Sequence, residues 1–193
     1  MGSTPHPTVD LNGFALPLGS SVVHFFYNAI ERRRLLSFLL DGVAREEGVV
    51  FACTREGYLE LTPAIDAIGL GSPNSGLLRV EVFPDLRTTV DSIAHATRIA
   101  LRNRSRGRLL ADFGRIVGKE SIFELEAALA SSLAGLSIVS VLQYDGNNFD
   151  ASVTIEQFRT HALCIMGNAF YHENRNFASA DSYYRRRAAA SRK

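Results

Sequence analysis

The fold is decided by VLQYDGNNFDASVTIEQFRTHALCIMGNAFYHENRN, residues 141–176. This stretch opens with an apolar run typical of a buried strand and ends that run in polar residues. It then passes through a Gly-Asn-Asn turn into a short helical segment, and a second apolar run follows at residues 162–166. Strand, helix and strand in this order are the repeating unit of an α/β fold.

The same alternation extends over the rest of the chain. Short apolar runs rich in β-branched and aromatic residues predict six strands, at residues 22–27, 49–54, 78–83, 108–113, 137–143 and 162–166. Stretches of helical period predict helices at residues 31–45, 58–68, 88–104, 120–133 and 154–160. Because the apolar runs are nearly continuous, we expect the strands to be parallel and covered on both sides. The predicted fold is three-layer α/β, with a mostly parallel central sheet and helices on both faces.

Length and composition predict a single main domain. The chain has 193 residues, of which 46% are hydrophobic, enough to bury a substantial core. We expect this domain to cover residues 15–180, after a flexible lead-in at residues 1–14 that carries Pro and Gly and has no apolar period. Residues 181–193 form a basic tail. It is either a solvated end, the interpretation we favour, or a contact for nucleic acid or an acidic partner.

Charge and cysteine usage bear on location and partners. Lys and Arg number 21 against 20 Asp and Glu, so no global field draws the protein to nucleic acid or to an anionic membrane. No apolar run approaches the roughly 20 residues that span a bilayer. Cys53 and Cys164 lie in apolar runs, as packed, reduced thiols do. We therefore expect a cytoplasmic protein without direct nucleic-acid or membrane contacts.

Ligands of parallel α/β sheets bind at the carboxyl ends of the strands, where loops and helix N-termini converge. The polar residues predicted there form the expected ligand site: Tyr27, Asn28, Arg55, Asp112, Arg115, Tyr144 and Asp145. Asp112 closes the run RLLAD, where RecA-like ATPases hold the magnesium-coordinating Walker B acid. A helix cap or a buried ion pair with an Arg explains Asp112 equally well. Tyr144 and Asp145 either contact a ligand or stabilise the turn that follows them.

A phosphate loop is missing from the predicted first strand-to-helix turn. The loop needs the spacing G-x-x-x-x-G-K-[ST], because its backbone amides surround the phosphates and its hydroxyl reaches the metal ion. HFFYNAIER, at residues 24–32, contains neither Gly nor Lys. The nearest match elsewhere, GRIVGKE at residues 114–120, is one residue short and has Glu120 in place of Ser or Thr. We therefore expect no ATP hydrolysis.

The chain resembles the MEDS family, sensory domains found in regulators of methylotrophs and methanogens. The residues that carry the resemblance are His24-Phe25-Phe26-Tyr27, Gly42, Glu47-Gly48, Gln143-Tyr144-Asp145, Phe149, His161 and Asn174. The resemblance implies a KaiC-like or RecA-like fold with a degenerate phosphate loop, and it implies a signal sensor without naming the signal. Residues 118–123 depart from the family pattern, since GKE replaces the usual Gly-Glu pair, which leaves a shared ligand open.

Neither a metal nor a cofactor is predicted. His161, Cys164 and His172 form an H-x2-C-x7-H run, but three ligands fall short of a closed tetrahedral zinc site. On a strand, His161 and Cys164 would point to opposite faces because their spacing is odd. We interpret His161 as a polar residue at the start of a strand and Cys164 as a packed thiol.

Two functions from different classes remain. The favoured one is a non-enzymatic sensory domain that binds an unidentified small molecule and acts on signal transduction or transcription through a partner regulatory protein. A homo-oligomer is expected by analogy with RecA-like domains. The alternative is a nucleotide-dependent enzyme whose atypical phosphate site uses residues 32–34, Asp112 and Lys119. A third, weaker option is an interaction domain whose former active site is filled by residues 25–27.

Overall fold

The computed structural model of the protein describes residues 7–67, 69, 78–83, 86–114, 119–168 and 170–173. The strands are β1 (Thr8–Leu11), β2 (Phe14–Pro17), β3 (Ser21–Phe26), β4 (Gly48–Thr54), β5 (Leu78–Phe83), β6 (Gly107–Gly114), β7 (Ile138–Asp145), β8 (Leu163–Met166) and β9 (Phe170–Glu173). The helices are α1 (Ala29–Arg33), α2 (Leu36–Ala44), α3 (Arg55–Ala67), α4 (Leu86–Leu101), α5 (Lys119–Leu133) and α6 (Ala151–Thr160). Each of the six predicted strands is present, with bounds that differ by a few residues at most.

One predicted helix is divided. The pattern over residues 31–45 predicts a single helix, whereas the structure has α1 and α2 with a tight turn between them. The Arg34 amide bonds to the carbonyl of Glu31, three residues back, and Leu35 has ψ near 1°, outside the helical range. The turn lets α1 stand at the end of β3 while Leu35 is buried in the core.

Within the described part of the chain, the main sheet has seven strands in the order β5-β4-β6-β7-β3-β8-β9. Six of them are parallel, and β9 pairs with β8 in the antiparallel direction at one edge. The prediction of a mostly parallel sheet is therefore confirmed. Each parallel neighbour is reached through a helix, as the geometry of parallel strands requires.

Two apolar clusters cover the faces of the sheet. On one face, α2 and α3 pack on inward-facing residues of β4, β6, β7 and β3, including Phe51 and Val141. On the other face, α4, α5 and α6 pack on the alternate residues, including Phe113 and Tyr144. Helices therefore cover the sheet on both sides, which confirms the three-layer architecture. The helices after β4 and β6 lie on opposite faces, so a crevice opens between the carboxyl ends of these two neighbouring strands.

The N-terminal segment corrects a prediction. The sequence predicts a flexible lead-in at residues 1–14, but β1 and β2 form an antiparallel hairpin in which Val9 faces Leu16. Val9, Leu11 and Leu16 are buried in the cluster that includes α2 and α3. The hairpin is ordered because its alternate apolar residues extend that core. Residues 1–6 and the predicted basic tail at 181–193 lie outside the described residues.

At the amino end of the sheet, a buried arginine connects three elements. Arg108 Nε on β6 lies 2.6 Å from Glu47 Oε2, and its Nη1 donates to the carbonyl of Phe38 on α2 at 2.9 Å. Gly42 leaves room for this side chain, since a Cβ atom there would stand 2.9 Å from Arg108 Cδ. A larger residue would push α2 off the sheet.

Both cysteines are packed thiols. Cys53 and Cys164 are free and buried. Burial raises the pKa of the Cys53 thiol to about 12, and burial raises the pKa of Cys164 as well. Neither thiol is therefore a reactive nucleophile at neutral pH. Within the described part of the chain, no helix is both long and apolar enough to cross a membrane.

Candidate functional site

A small cleft of about 130 Å³ lies at the carboxyl ends of β3 and β7, beside the start of α3. Its lining combines the last residue of β3 and residues that follow it, residues of α3 and the last residue of β7: Phe26, Tyr27, Asn28, Ala29, Arg32, Glu56, Glu60 and Asp145. Asn28 is the N-cap of α1, because its side chain accepts the amide of Glu31 at 3.0 Å. The cap makes α1 begin directly after β3 and points Arg32 across the crevice.

Arg32 fills the floor of this cleft. Its Nε donates to Asp112 Oδ2 at 2.7 Å, and its Nη2 donates to Asp112 Oδ1 at 3.0 Å. Its Nη1 pairs with Glu60 on α3, and its guanidinium carbon lies 5.0 Å from the centre of the Phe26 ring. A two-pronged pair with a carboxylate fixes both the position and the orientation of the guanidinium group.

Two glycines make room for the guanidinium group of Arg32. A Cβ atom at Gly57 would stand 2.9 Å from Arg32 Nη2, and one at Gly114 would stand 3.1 Å from it. Gly114 also has φ +53°, in the left-handed region that favours glycine. Its amide donates to Asp112 Oδ1 at 2.9 Å, so both carboxylate oxygens of Asp112 are engaged. Strand β6 and helix α3 thus each provide a glycine that leaves space for Arg32 and a carboxylate that binds it, Asp112 and Glu60.

A buried polar relay supports the pair from below. Gln143 Nε2 on β7 donates to the carbonyl of Arg32 at 3.0 Å and lies 3.4 Å from Asp112 Oδ2. Gln143 Oε1 lies 3.3 Å from His24 Nδ1 on β3. Burial lowers the pKa of His24 to about 4, although its hydrogen bond to Gln143 opposes the shift. The imidazole is therefore neutral at physiological pH.

The electrostatics of the cleft disfavour a polyphosphate. Complete burial raises the pKa of Asp112, while the hydrogen bonds and the charge of Arg32 offset part of the rise. Among the described residues that line the cleft, Arg32 is the one cation, and it is paired with Asp112 and Glu60. Glu56 and Asp145 add further carboxylates to the same lining. A triphosphate would meet more negative than positive charge.

The structure places the predicted site residues differently. Tyr27, Asn28 and Asp145 line the cleft. Asp112 lies directly beneath them and is completely buried, as a buried ion pair with an Arg would require. Arg55 is exposed at the first residue of α3 and does not line the cleft. Arg115 lies outside the described residues.

Tyr144 is corrected from a ligand contact to a core residue. Its side chain is fully buried, its hydroxyl donates to Glu126 Oε1 at 3.0 Å, and its ring stacks on Phe113 at a centroid distance of 5.3 Å. Successive residues of a strand point to opposite faces. Tyr144 therefore faces α5, while its neighbours Gln143 and Asp145 face the crevice.

Glu60 on α3 was not predicted as part of the site. Glu56 and Glu60 are four residues apart and share one face of the helix. This spacing is visible in the sequence, but it is also typical of a solvated helix face. Arg32 was predicted only as part of the alternative phosphate site, because no local pattern indicates its contact with Asp112, 80 residues away.

A wider, mainly apolar groove lies next to the cleft, with a volume of about 540 Å³. Its lining comes from the turn after β7, from α6 and from the end of β8: Tyr27, Gly146, Phe149, Asp150, Ala151, Thr154, Ile155, Phe158 and Met166. Tyr27 belongs to both openings and is 41% exposed. Its ring lies against Gly146, where a Cβ atom would stand 2.5 Å from Tyr27 Cε1.

Comparison with known proteins supports the fold and no more. No family model matches the chain, and no curated protein matches it. Among solved structures, the fold is similar to that of a KaiC-like protein from the hyperthermophilic archaeon Pyrococcus horikoshii. That match has a TM-score of 0.62 and 13% sequence identity, and it covers 92% of each chain. The protein therefore has a KaiC-like, RecA-type fold, as predicted.

Proposed function

We propose that the protein is a non-enzymatic sensory domain that binds a small molecule at the carboxyl ends of its strands and signals through a partner regulatory protein. One observation carries the proposal: Arg32, held by Asp112 and Glu60, occupies the place after the first parallel strand where an ATPase of this fold holds phosphate. The resemblance to MEDS sensory domains supports the same role in signal transduction or transcription regulation.

The arrangement of Asp112 speaks against metal-assisted hydrolysis. An acid that holds Mg²⁺ needs an oxygen free to face the ion. Both oxygens of Asp112 accept hydrogen bonds from Arg32, and the side chain has no exposed surface. The relay through Gln143 fixes the pair further. Catalysis would require the protein to break this network before the metal could bind.

The ligand would lie where the acidic cleft meets the apolar groove. Tyr27 stands between the two openings, and burial together with the charge of Glu31 raises its pKa, which keeps its hydroxyl a neutral donor. A molecule with an apolar body and a hydrogen-bond donor would complement the groove and the carboxylates of the cleft. The groove alone is large enough for such a molecule.

Signal transfer would begin at α1. The amide of Tyr27 donates to Glu31 Oε2 at 2.8 Å, and Glu31 shares α1 with Arg32. Just beyond α1, Arg34 pairs with the carbonyl of Asn168 in the turn after β8. A ligand that moves Tyr27 would shift α1 and the turn together, and would favour one of two arrangements of this surface.

Calorimetric titration with ATP and Mg²⁺ tests the proposal against the nucleotide-dependent alternative. We expect no saturable binding, because the cleft is acidic and Arg32 is already paired. Mg²⁺-dependent binding that Asp112→Ala abolishes would overturn the sensory role in favour of nucleotide chemistry.

Mass spectrometry of the natively purified protein tests for the ligand itself. We expect a small molecule that co-purifies with the wild type and is lost from Tyr27→Ala. Tyr58→Ala is the matched control, because Tyr58 is 36% exposed on α3 and lines neither the cleft nor the groove. Equal retention by both variants would contradict the assignment of this site.

A further inference from the structure

The edge of the main sheet at β5 has the features of an interaction surface. Among the described residues, β5 pairs only with β4, so within that part of the chain no strand pairs with its other side. Val80 is 38% exposed and Val82 is 42% exposed. Proteins usually protect such edges with Pro, with a bulge or with inward-pointing charges. The segment LRVEVF of β5 has no Pro and its register with β4 is regular, so the charges of Arg79 and Glu81, which are opposite in sign, are the protection that this strand carries.

The side chains of β5 alternate between two kinds of surface. Leu78, Val80 and Val82 lie opposite Val49, Phe51 and Cys53 of β4, on the face covered by α2 and α3. Arg79 and Glu81 point to the other face. Within the chain, Arg79 Nη2 and Glu81 Oε2 are 3.8 Å apart, too far for a good hydrogen bond. Arg79 Nε is buried and has no hydrogen-bond partner among the described residues.

We propose that β5 pairs with the β5 strand of a second copy of this chain, antiparallel and around a two-fold axis that lies midway between the two Val80 residues. Val80 then faces the partner's Val80, and Leu78 faces the partner's Val82. Arg79 lies opposite the partner's Glu81, and the symmetry repeats this pair. The strand is thus complementary to itself in both shape and charge.

The neighbouring registers are unfavourable, which selects this one. Residues that lie directly opposite each other in an antiparallel pair point their side chains to the same face of the sheet. The axis must therefore relate one residue to the same residue of the partner, and it cannot fall between two residues of the strand. An axis at Arg79 would place Arg79 opposite the partner's Arg79. An axis at Glu81 would place two carboxylates opposite each other. Like charges directly opposite are destabilising, so the axis at Val80 is the arrangement that pairs opposite charges and no like ones.

Charge reversal tests the pairing in the full-length protein. Sedimentation of the wild type over a range of concentrations is expected to show a monomer–dimer equilibrium. Arg79→Glu and Glu81→Arg, taken singly, each place like charges opposite each other twice per dimer and are expected to weaken the dimer at least about tenfold. The double variant Arg79→Glu/Glu81→Arg restores opposite charges and is expected to restore the dimer.

Disulfide trapping provides a second readout that does not depend on charge. Val80→Cys places two thiols opposite each other across the axis, so mild oxidation is expected to give a covalent dimer. Val82→Cys is the matched control, because its two thiols would lie four residues, about 13 Å, apart along the strand direction. The native Cys53 and Cys164 are buried and do not compete.

A monomer at every concentration would overturn the proposal, and so would a dimer that both single charge reversals leave unchanged. Equal trapping of Val80→Cys and Val82→Cys would overturn the stated register. Circular dichroism of each variant separates loss of the dimer from loss of the fold. The double variant has the composition of the wild type, so its recovery would exclude a general effect of charge.

Discussion

Strand β6 carries a buried ion pair near each of its ends, and the two pairs differ in what surrounds them. At the amino end, Arg108 pairs with Glu47, and both side chains are at most 2% exposed. At the carboxyl end, Asp112 pairs with Arg32, which also reaches Glu60, whose side chain is 36% exposed. Each guanidinium group lies about 5 Å from an aromatic ring and close to a glycine. At the amino end both side chains of the pair are buried, and we call this the closed end, although Glu47 also lines a cleft of about 330 Å³. At the carboxyl end the pair extends to the partly exposed Glu60, and we call this the open end.

The two pairs connect different elements of the fold. The pair at the amino end connects α2 to the sheet and has a structural role. The pair at the carboxyl end connects α1, α3 and β6, and it stands beside the openings that we assign to a ligand. Removing either partner of such a pair is costly, because a buried charge remains without compensation. The loss in free energy of unfolding should be larger at the end where both side chains of the pair are buried.

The largest effect is expected at the closed end. Arg108→Met leaves the buried Glu47 with the partly exposed Arg106 as its remaining partner and should lower the free energy of unfolding by about 3–5 kcal/mol. Urea denaturation at neutral pH measures this change. Arg106→Met is the control, because Arg106 contacts the same Glu47 but its side chain is 34% exposed. Similar losses for the two variants would mean that burial does not set the cost.

The pH dependence of stability should come next in size. His24 has a pKa of about 4 in the folded protein and 6.5 in the unfolded chain, so the unfolded chain binds the proton first. Stability should therefore fall as the pH drops from about 6.5 to 4, by about 3 kcal/mol in total, and change no further below that from this group. His24→Asn keeps a polar partner for Gln143 but cannot titrate. The difference between wild type and variant over this range isolates His24, and parallel curves would contradict the assignment.

A smaller effect is expected at the open end. Arg32→Met should cost about 2 kcal/mol, less than Arg108→Met, because the carboxyl group of Asp112 can take up a proton. Burial already raises the pKa of Asp112, and loss of Arg32 would raise it further. A group whose pKa is raised on folding stabilises at low pH and loses that contribution as the pH rises. The cost of Arg32→Met should therefore grow from pH 5 to pH 8, and a constant cost would contradict this explanation.

The smallest effect is expected at Glu60, the partly exposed carboxylate that pairs with Arg32. Glu60→Gln keeps a hydrogen-bond acceptor for Arg32 and should change the free energy of unfolding by less than about 1 kcal/mol, as expected for a partly exposed ion pair. Added salt should reduce the difference from the wild type further. Thermal unfolding at low and high salt measures both. A large loss that is insensitive to salt would place Glu60 with the buried groups instead.

Much of the fold was predictable because its information is local. The central strands are continuous apolar runs, and the predicted bounds of β5, residues 78–83, are the observed ones. The strands β1, β2 and β9 were missed, since each has four residues and no long apolar run. The N-terminal hairpin becomes recognisable once Val9 and Leu11 are seen to extend an existing core.

The site was predictable to a lesser degree. Strand ends identified Tyr27, Asn28 and Asp145, because ligand sites of parallel sheets follow from topology. Tyr144 was assigned to the site because it lies next to Asp145 at the end of a strand. Neighbouring side chains of a strand point to opposite faces, so Tyr144 points away from the cleft that Asp145 lines. Glu60 was missed because four-residue spacing on a helix does not distinguish a cleft from solvent.

The order of strands and helices along the chain, and the absence of a phosphate loop after the first parallel strand, follow from the sequence, since both depend on residues close together in the chain. The contact of Arg32 with Asp112, 80 residues away, follows from the fold. The order of the strands within the sheet brings the ends of β3, β4 and β6 near one another, and no local pattern contains that spatial order. The ion pair of Arg32 and Asp112, which lies after the first parallel strand, is therefore a long-range contact set by packing rather than by a local motif.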